Sequence, residues 1–483
     1  MRFIHTADWH LGNQMHDIDR RAENKLFLDW LKEEICRQKA DALVVSGDIF
    51  DTSNPPVEAR KMYEDFLASL NGTCCKTIVI TGGNHDSASL LESSGKIMEL
   101  LNIFVVGTIS AHSPKDMVVP IKAKDGNVSS LCLAVPFVRE PELRKFLSEH
   151  GGKSSSFGEE EGESASLSEI KDSEFYSVGY RCLYDEVLKE AEKINETLPK
   201  KVPVIALGHF YASDLEGRES MADSSDARKY DDGVRSLDVV GNLGFVPPSV
   251  FSEKIDYVAL GHIHYSSMVA KNPKIRYSGS PFVMGFDEAK IPRYVLSVEI
   301  SDAPETGTSV DVQKIPVPSA FEFKRISGTL SEIKTELSKL PSLSSGKAKK
   351  EQLTLFDAEH LSQTPKPLFL ELCYKKEIGV NASDYLEDEI KNLPPNVTVA
   401  SWKIMTSAEA RSFGFEDYDE EEVKNLSDEE IFTQLILTRA QLDKDSDEAK
   451  KVLSEFLPIF LEAANACDAG ISIGEDENDG GEN

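Results

Sequence analysis

The chain opens with a short apolar run that stops at an acid and an imidazole. Residues 2 to 7, RFIHTA, predict a strand, and Asp8 and His10 follow at once. Residues 21 to 39 place Leu26, Trp30 and Ile35 near one face at helical spacing. ALVVSG at 42 to 47 is unbroken in its apolar content, as a buried strand is. Pro55-Pro56 introduces a helix over 57 to 70 with Tyr63, Phe66, Leu67 and Leu70 inward. KTIVITGG at 76 to 83 predicts a third strand, 88 to 100 a helix, and NIFVVG at 102 to 107 a fourth strand. Strand alternating with helix predicts a layered α/β sheet with its reactive residues at strand ends.

Farther on, VVPIKA and residues 129 to 138 predict a hairpin or meander. The stretch 151 to 174 is rich in Ser, Gly and Glu and reads as a partly disordered surface insertion. A helix is expected at about 177 to 197. VPVIALGH at 202 to 209 and DYVALGHIH at 256 to 264 are strands that end in histidine, with a polar loop at 212 to 232 between them. Residues 275 to 281 and 293 to 300 continue the sheet, closing a first domain at 1 to 305.

Beyond residue 300 the texture changes. A strand and helix at 321 to 340, a strand at 367 to 377, a helix at 381 to 392 and a strand at 396 to 405 predict a small α+β module over 315 to 410. Two amphipathic helices follow within 426 to 466, too few to enclose a core of their own. Residues 467 to 483 form an acidic tail.

The apolar runs matter because of what ends them. The motifs are Asp8-x-His10, GDIFD at 47 to 51, GNHD at 83 to 86, GH at 208 to 209 and GHIH at 261 to 264. They supply Asp8, His10, Asp48, Asn84, His209, His262 and His264, a carboxylate, imidazole and amide set that suits Mn²⁺ or a similar divalent ion. Seven ligands serve two ions if Asp48 bridges. The residual positive charge suits a phosphodiester and activates water. Gly47, Gly83, Gly208 and Gly261 precede ligands and are expected to allow sharp turns. His262 and His264, two apart on a strand, would share a side. His85 is the candidate proton donor to the leaving oxygen, with Asp86 orienting its ring from behind. Alone, GHIH fits a turn with two structural histidines equally well; the five motifs together point to a metal centre.

Composition qualifies this picture. The 483 residues suggest two or three domains. No apolar run reaches membrane-spanning length, and Arg2 leads directly into a strand with no leader pattern. Seven scattered Cys are expected to be reduced thiols in a cytoplasmic protein. The net charge of −30 opposes nucleic-acid binding. Residues 416 to 483 hold 21 acidic against 5 basic residues, so about half of that excess lies at the C-terminal end.

The motif set, with HTADWHLG, DALVVSGDIFDTSNPP, GGNHDS, DYVALGHIH and IRYSGSP, resembles the calcineurin-like metallophosphoesterase superfamily. Within it the chain is similar to the SbcD/Mre11 group of DNA repair nucleases, and most similar to bacterial SbcD. The likeness is strong to about residue 300 and weaker over 321 to 405. It implies a four-layer α/β sandwich, two β-sheets face to face and flanked by helices, with a capping domain at 315 to 410. It implies two Mn²⁺ ions, one on Asp8, His10, Asp48 and His264, the other on Asp48, Asn84, His209 and His262, with His85 catalytic. It implies 3′ to 5′ exonuclease action on duplex DNA and endonuclease action on single strands and hairpins. The protein would form a homodimer within a heterotetramer with an SbcC-type, Rad50-like ATPase, nucleoid-associated in the cytoplasm and away from membranes.

The helical pair would then dock on the partner through Phe432, Leu435, Ile436, Leu453, Phe456, Leu457 and Phe460, or else pack back on the capping domain. Arg218, Arg228, Lys229 and Arg235 are candidates for phosphate contacts, or ordinary solvated loop charges. A protein phosphatase is disfavoured, because Thr52-Ser53 follow Asp51 where that family carries a phosphate-clamping Arg. A small-molecule phosphodiesterase and a metal-free scaffold are the remaining alternatives. The extra modules argue against the first and the full ligand set against the second.

Overall fold

The computed structural model describes residues 1–16, 18–150, 175–213, 246–303, 307–340, 366–375 and 389–405. The insertion at 151–174, the four basic loop residues from Arg218 to Arg235, the helical pair and the acidic tail lie outside the described residues, as does most of the helix expected at 381 to 392.

In chain order the elements are β1 (Arg2–Thr6), a small hairpin of β2 (Gln14–Met15) and β3 (Ile18–Asp19), α1 (Arg21–Gln38), β4 (Ala42–Ser46), α2 (Val57–Ser69), β5 (Thr77–Thr81), α3 (Ala88–Leu91), α4 (Gly95–Leu100) and β6 (Ile103–Val106). There follow β7 (Val118–Lys122), β8 (Val128–Ala134), α5 (Glu140–His150), α6 (Phe175–Thr197), β9 (Val204–His209), β10 (Tyr257–Gly261), β11 (Ser267–Met268), β12 (Ile275–Tyr277), β13 (Tyr294–Ala303) and β14 (Gly307–Pro316). The described C-terminal part adds β15 (Glu322–Gly328), α7 (Leu330–Ser338), β16 (Leu368–Tyr374) and β17 (Val397–Ile404).

Two six-stranded sheets result, in the orders β14-β13-β1-β4-β5-β6 and β11-β12-β10-β9-β8-β7. Both are mixed. In the first, β1, β4, β5 and β6 run parallel and β13 joins β1 antiparallel. In the second, β8, β9, β10 and β12 run parallel, with β7 and β11 antiparallel at the edges.

Alternation along the central strands explains the layering. Phe3, Val44 and Val79 turn inward to one buried cluster with Leu131, Leu133, Ile205, Leu207 and Val258 of the second sheet. Their neighbours Ile4, Leu43, Val45, Ile78 and Ile80 face the other way, onto Phe27, Leu31 and Ile35 of α1 and Tyr63, Phe66 and Leu67 of α2. A strand presents successive side chains to opposite faces, so an unbroken apolar run is what a strand covered on both sides requires. On the outer face of the second sheet, Leu143 of α5 and Leu183, Tyr184 and Val187 of α6 join the first cluster.

Three expectations need correction. The helix at 88 to 100 is two short helices broken around Glu92–Ser94. On α1 the buried apolar positions are Phe27, Leu28, Leu31 and Ile35, with Leu26 and Trp30 only partly covered. Helix α5 falls outside the predicted elements, although its apolar positions Leu143, Phe146 and Leu147 keep helical spacing.

The chain divides into two compact units: Met1–Arg325 with Ser345–Leu370 and Asn396–Ala400, and Ile326–Ser344 with Glu371–Pro395 and Ser401–Asn483. In the second, Ile326, Ile333, Leu337 and Leu372 are buried, and α7 starts at a capping box between Thr329 and Glu332. Among the described residues no helix is long and apolar enough to cross a membrane.

Candidate metal centre

Parallel strands deliver their C-terminal ends to one edge, and every motif lies there. Asp8 and His10 follow β1, Asp48 follows β4, Asn84 and His85 follow β5, His209 ends β9, and His262 and His264 follow β10. The turns that aim them are tight. Asp8 (φ 53°), His10 (φ 42°), Asp48 (φ 50°) and His262 (φ 96°) themselves occupy the left-handed region. That conformation is costly for residues with a Cβ and concentrates at functional sites. Backbone bonds hold the first loops together, among them Asp8 N to Gly47 O and His10 N to Asp48 O, both at 3.0 Å, and Leu11 N to Ile49 O at 2.9 Å. Trp9, fully buried, packs edge-on against Phe27 and Phe66 and donates from Nε1 to Thr6 Oγ1 at 3.0 Å. It fastens the backbone between Asp8 and His10 to the core.

The glycines have a different role from the one expected. Of the four that precede ligands, only Gly47 has a positive φ, +84°. A Cβ there would land on His209 Nδ1, one at Gly83 on the Asp48 carboxylate, and one at Gly261 on the Ser46 carbonyl. Gly47 and Gly261 lack side chains because strand ends of the two sheets approach almost backbone to backbone, and Gly83 because the Asp48 loop of its own sheet fills the space. The GHIH motif also differs from expectation. Strand β10 stops at Gly261, so His262 and His264 are loop residues and not neighbours on a pleat.

All seven predicted ligand residues are nevertheless brought together. Ligand atoms of Asp8, His10 and His264 lie within 4.8 Å of one another, and so do those of Asp8, Asp48 and His209. His209 Nε2 is 3.2 Å from Asp48 Oδ2 and His10 Nε2 is 3.6 Å from the same oxygen. Asn84 Oδ1 stands 3.0 Å from both His209 Nε2 and His262 Nδ1. Backbone donors orient the carboxylates: His262 N to Asp8 Oδ1 and His85 N to Asp48 Oδ1, both at 2.9 Å.

Some atoms at the centre are unsatisfied. Asp8 Oδ2 is buried and, among the described residues, has no hydrogen-bond partner. The buried ring nitrogens of His10 meet only carboxylates, Asp51 at 3.3 Å and Asp48 at 3.6 Å, without hydrogen-bond geometry. Orphaned buried polar atoms are rare and expensive. Two carboxylates, four imidazoles and an amide oxygen crowded together, with such atoms aimed inward, are the donor set of a divalent cation site. The residues therefore fit metal ions.

A sequence profile of the calcineurin-like phosphoesterase domain matches residues 1–266. The chain belongs to the calcineurin-like phosphoesterases. Among curated relatives, the SbcD component of the nuclease SbcCD of Escherichia coli K12 is 30% identical over 451 residues, spanning 93% of this chain and 95% of the relative. The protein of the same description from Rhodobacter capsulatus is 32% identical over 294 residues, 60% of this chain and 64% of the relative. That from Bacillus subtilis is 28% identical over 338 residues, 69% and 74%. The phosphoesterase is thus a metal-dependent hydrolase of the SbcD group.

The electrostatics of this phosphoesterase centre follow from crowding charge in a buried place. Burial drives Asp8 upward from the ordinary carboxylate range. Burial acts on Asp48 too, but the facing His209, with His10 and His85, outweighs it and holds Asp48 well below that range. Burial would push His209 down, yet Asp48 and Asp8 prevail and lift it to about 9. His262 falls to about 3 through burial and the neighbouring positive charge of His209.

His85 is exposed at the rim, its ring centroid 4.9 Å from that of His10. Its expected support is not Asp86. The Asp86 carboxylate accepts from the backbone N–H groups of Ile49 at 3.0 Å, Phe50 at 2.9 Å and Gly83 at 2.9 Å. The carboxylate is thus turned to these three backbone donors, and the ring of His85 has another partner. The partner of His85 is the Asp51 carbonyl, 2.7 Å from Nδ1. Asp51 ends the GDIFD motif but is not among the predicted site residues. Its carboxylate also lies 3.3 Å from His10 Nδ1. Glu288, which contacts His264 Nδ1 at 3.1 Å, carries no motif that could have singled it out.

Proposed function

We propose that this phosphoesterase cleaves phosphodiester bonds of DNA as the nuclease component of an SbcCD-type complex. The observation that carries the reading is the convergence of His209 Nε2 at 3.2 Å and His10 Nε2 at 3.6 Å on Asp48 Oδ2, with Asn84 Oδ1 3.0 Å from both His209 and His262. Asp8, His10, Asp48 and His264 would hold one Mn²⁺, and Asp48, Asn84, His209 and His262 a second. When bound, the ions supply positive charge that holds the diester and activates water.

The remaining chemistry falls to the chain. With Nδ1 donating to the Asp51 carbonyl, His85 keeps Nε2 for the leaving oxygen. As the doubly protonated imidazolium it would give its Nε2 proton to that oxygen and be left neutral with Nδ1–H in place. Asp86 acts at one remove, by holding two N–H groups of the loop that carries Asp48 together with that of Gly83 in its own loop. The proposed activities are 3′ to 5′ exonuclease on duplex ends and endonuclease on single strands and hairpins. The two sheets with helices on both outer faces are taken as the four-layer sandwich of the family, residues 315 to 410 as its capping domain, and 426 to 466 as the helices that dock on an SbcC-type ATPase. The assembly would be a homodimer within a heterotetramer, in the cytoplasm and on the nucleoid. The names of the relatives, components of a nuclease called SbcCD, support this assembly.

The test is digestion of labelled duplex and hairpin DNA by chelator-stripped, Mn²⁺-reloaded protein, with and without the partner ATPase and ATP. Shortening from the 3′ end and hairpin opening are expected. Hydrolysis of a chromogenic diester with no cleavage of any DNA, partner present, would transfer the site to a small substrate.

A further inference from the structure

We infer that Glu288 and Arg293 are positioning residues that clamp His264 from both ends and choose which ring nitrogen it offers to the cation. The inference rests on the metal-centre reading above and deepens it. His264 Nδ1 donates to Glu288 Oε1 at 3.1 Å. An imidazole so engaged has Nε2 as its one remaining lone pair, and His264 has a ligand atom within 4.8 Å of those of Asp8 and His10. The other end of the residue is held too. Its carbonyl oxygen accepts from Arg293 Nη1 at 2.7 Å and from Ser280 N at 3.1 Å.

The clamp is itself braced. Glu288 Oε2 accepts from Arg293 Nη2 at 2.8 Å and from Met284 N at 3.1 Å, and Arg293 Nη2 also donates to the Glu288 carbonyl at 3.1 Å. One guanidinium therefore joins the backbone of the ligand to the side chain that orients its ring. Arg293 is almost wholly enclosed, with 7% of its side chain exposed, and Glu288 retains 19%. The segment between them and His264 is pinned from another side, where Arg20 Nη1 donates to the Val283 carbonyl at 2.6 Å.

This arrangement suits His264 because it is a loop residue. Strand β10 has ended three positions earlier, so no ladder hydrogen bond sets its place. His209, by contrast, sits on a strand and is oriented by the Ser46 carbonyl, 2.8 Å from Nδ1. A carboxylate behind a ligating imidazole fixes its tautomer and strengthens the other nitrogen as a donor, and removing it costs about 10- to 100-fold in metal affinity. Glu288 and Arg293 should therefore act on one cation and not on the other.

The experiment is equilibrium binding of Mn²⁺ to the full chain, stripped of metal, for the wild type, Glu288→Ala, Glu288→Gln and Arg293→Lys. Thermal unfolding of each metal-free protein is recorded alongside, and imidazole ¹⁵N shifts report the His264 tautomer. Glu288→Ala is expected to weaken one of two binding steps about tenfold or more, leave the other within error, and let Nδ1 and Nε2 exchange protons. Glu288→Gln, which keeps an acceptor oxygen in place, should recover most of the affinity and the single tautomer. Two binding steps unchanged in Glu288→Ala would overturn the inference, as would equal weakening of both. Should Glu288→Ala not fold, Arg293→Lys decides: one weakened step supports the clamp, and unchanged affinity with an unchanged tautomer overturns it. A wild type that binds no Mn²⁺ would instead remove the metal-centre reading beneath it.

Discussion

His85 donates from Nδ1 to the backbone carbonyl of Asp51 at 2.7 Å, across 34 residues of chain. A carbonyl oxygen can only accept, so Nδ1 carries a proton in either charge state, and Nε2 is the nitrogen that would give one to substrate when the ring is an imidazolium. The loop that ends GDIFD thus orients the rim histidine, while its Asp48 joins the candidate metal-ligand cluster with Asp8 and His209.

Replacing His85 by Gln should remove the proton donor and leave the buried donor set alone. Cleavage of labelled duplex is expected to fall about 10²- to 10⁴-fold. Metal content by mass spectrometry should match the wild type. Undiminished cleavage would take His85 out of the mechanism.

Asp86→Asn tests the reassigned carboxylate. Burial and the charge of Asp48 outweigh the pull of three backbone N–H groups and leave Asp86 raised to about 6. An amide offers one acceptor oxygen and turns N–H donors toward the rest. Each buried donor left unsatisfied costs about 1–3 kcal/mol. Urea denaturation should register that loss, with weaker Mn²⁺ binding because the Asp48 loop is freed. A variant as stable as the wild type would show that these hydrogen bonds do little.

His5 links the sheets and should make stability fall in mild acid. Tyr257 OH lies 3.0 Å from its Nδ1, and its Nε2 faces the Leu260 carbonyl at 3.3 Å. Burial lowers its pKa from 6.5 to about 3. Below pH 6.5 the unfolded chain binds a proton that the folded chain refuses, so the contribution of neutral His5 is complete above that value and declines toward pH 3. The slope is about 1.4 kcal/mol per pH unit. Denaturation midpoints at a series of pH values should fall more steeply for the wild type than for His5→Gln. Parallel curves would assign the acid sensitivity elsewhere.

Gly47→Ala and Gly72→Ala separate two kinds of constraint. Both glycines have positive φ, +84° and +78°. Nothing lies within 4 Å of a Cβ at Gly72, whereas one at Gly47 strikes His209. Gly72→Ala should lose about 1–2 kcal/mol for backbone strain alone. Gly47→Ala should lose more and also bind Mn²⁺ poorly. Equal losses with intact metal binding would show that the sheets can move apart.

Deletion of 426 to 483 should spare hydrolysis of a chromogenic diester and abolish capture of the SbcC-type ATPase. Binding retained by the truncated chain would place the docking surface elsewhere.

The sequence alone determined the strand ends and the chemistry placed on them. Strand β4 is buried at all five positions, as its unbroken apolar run requires, and Asp48 follows it. The positions of the seven candidate donors at strand ends were legible because a short strand must be apolar to lie between two layers and must stop being apolar where it presents a polar side chain. Local pattern also set the inward residues of α2. What only the tertiary structure decided depends on groups far apart in the chain. Asp86 serves backbone N–H groups of a loop 36 and 37 residues earlier and not the ring beside it. Glu288 meets His264 from 24 residues away, and Gly261 is glycine because Ser46 of the other sheet stands where its side chain would be. Periodicity records which face an element buries. It holds no record of which distant atom completes a hydrogen bond, and that choice is made when the two sheets close on each other.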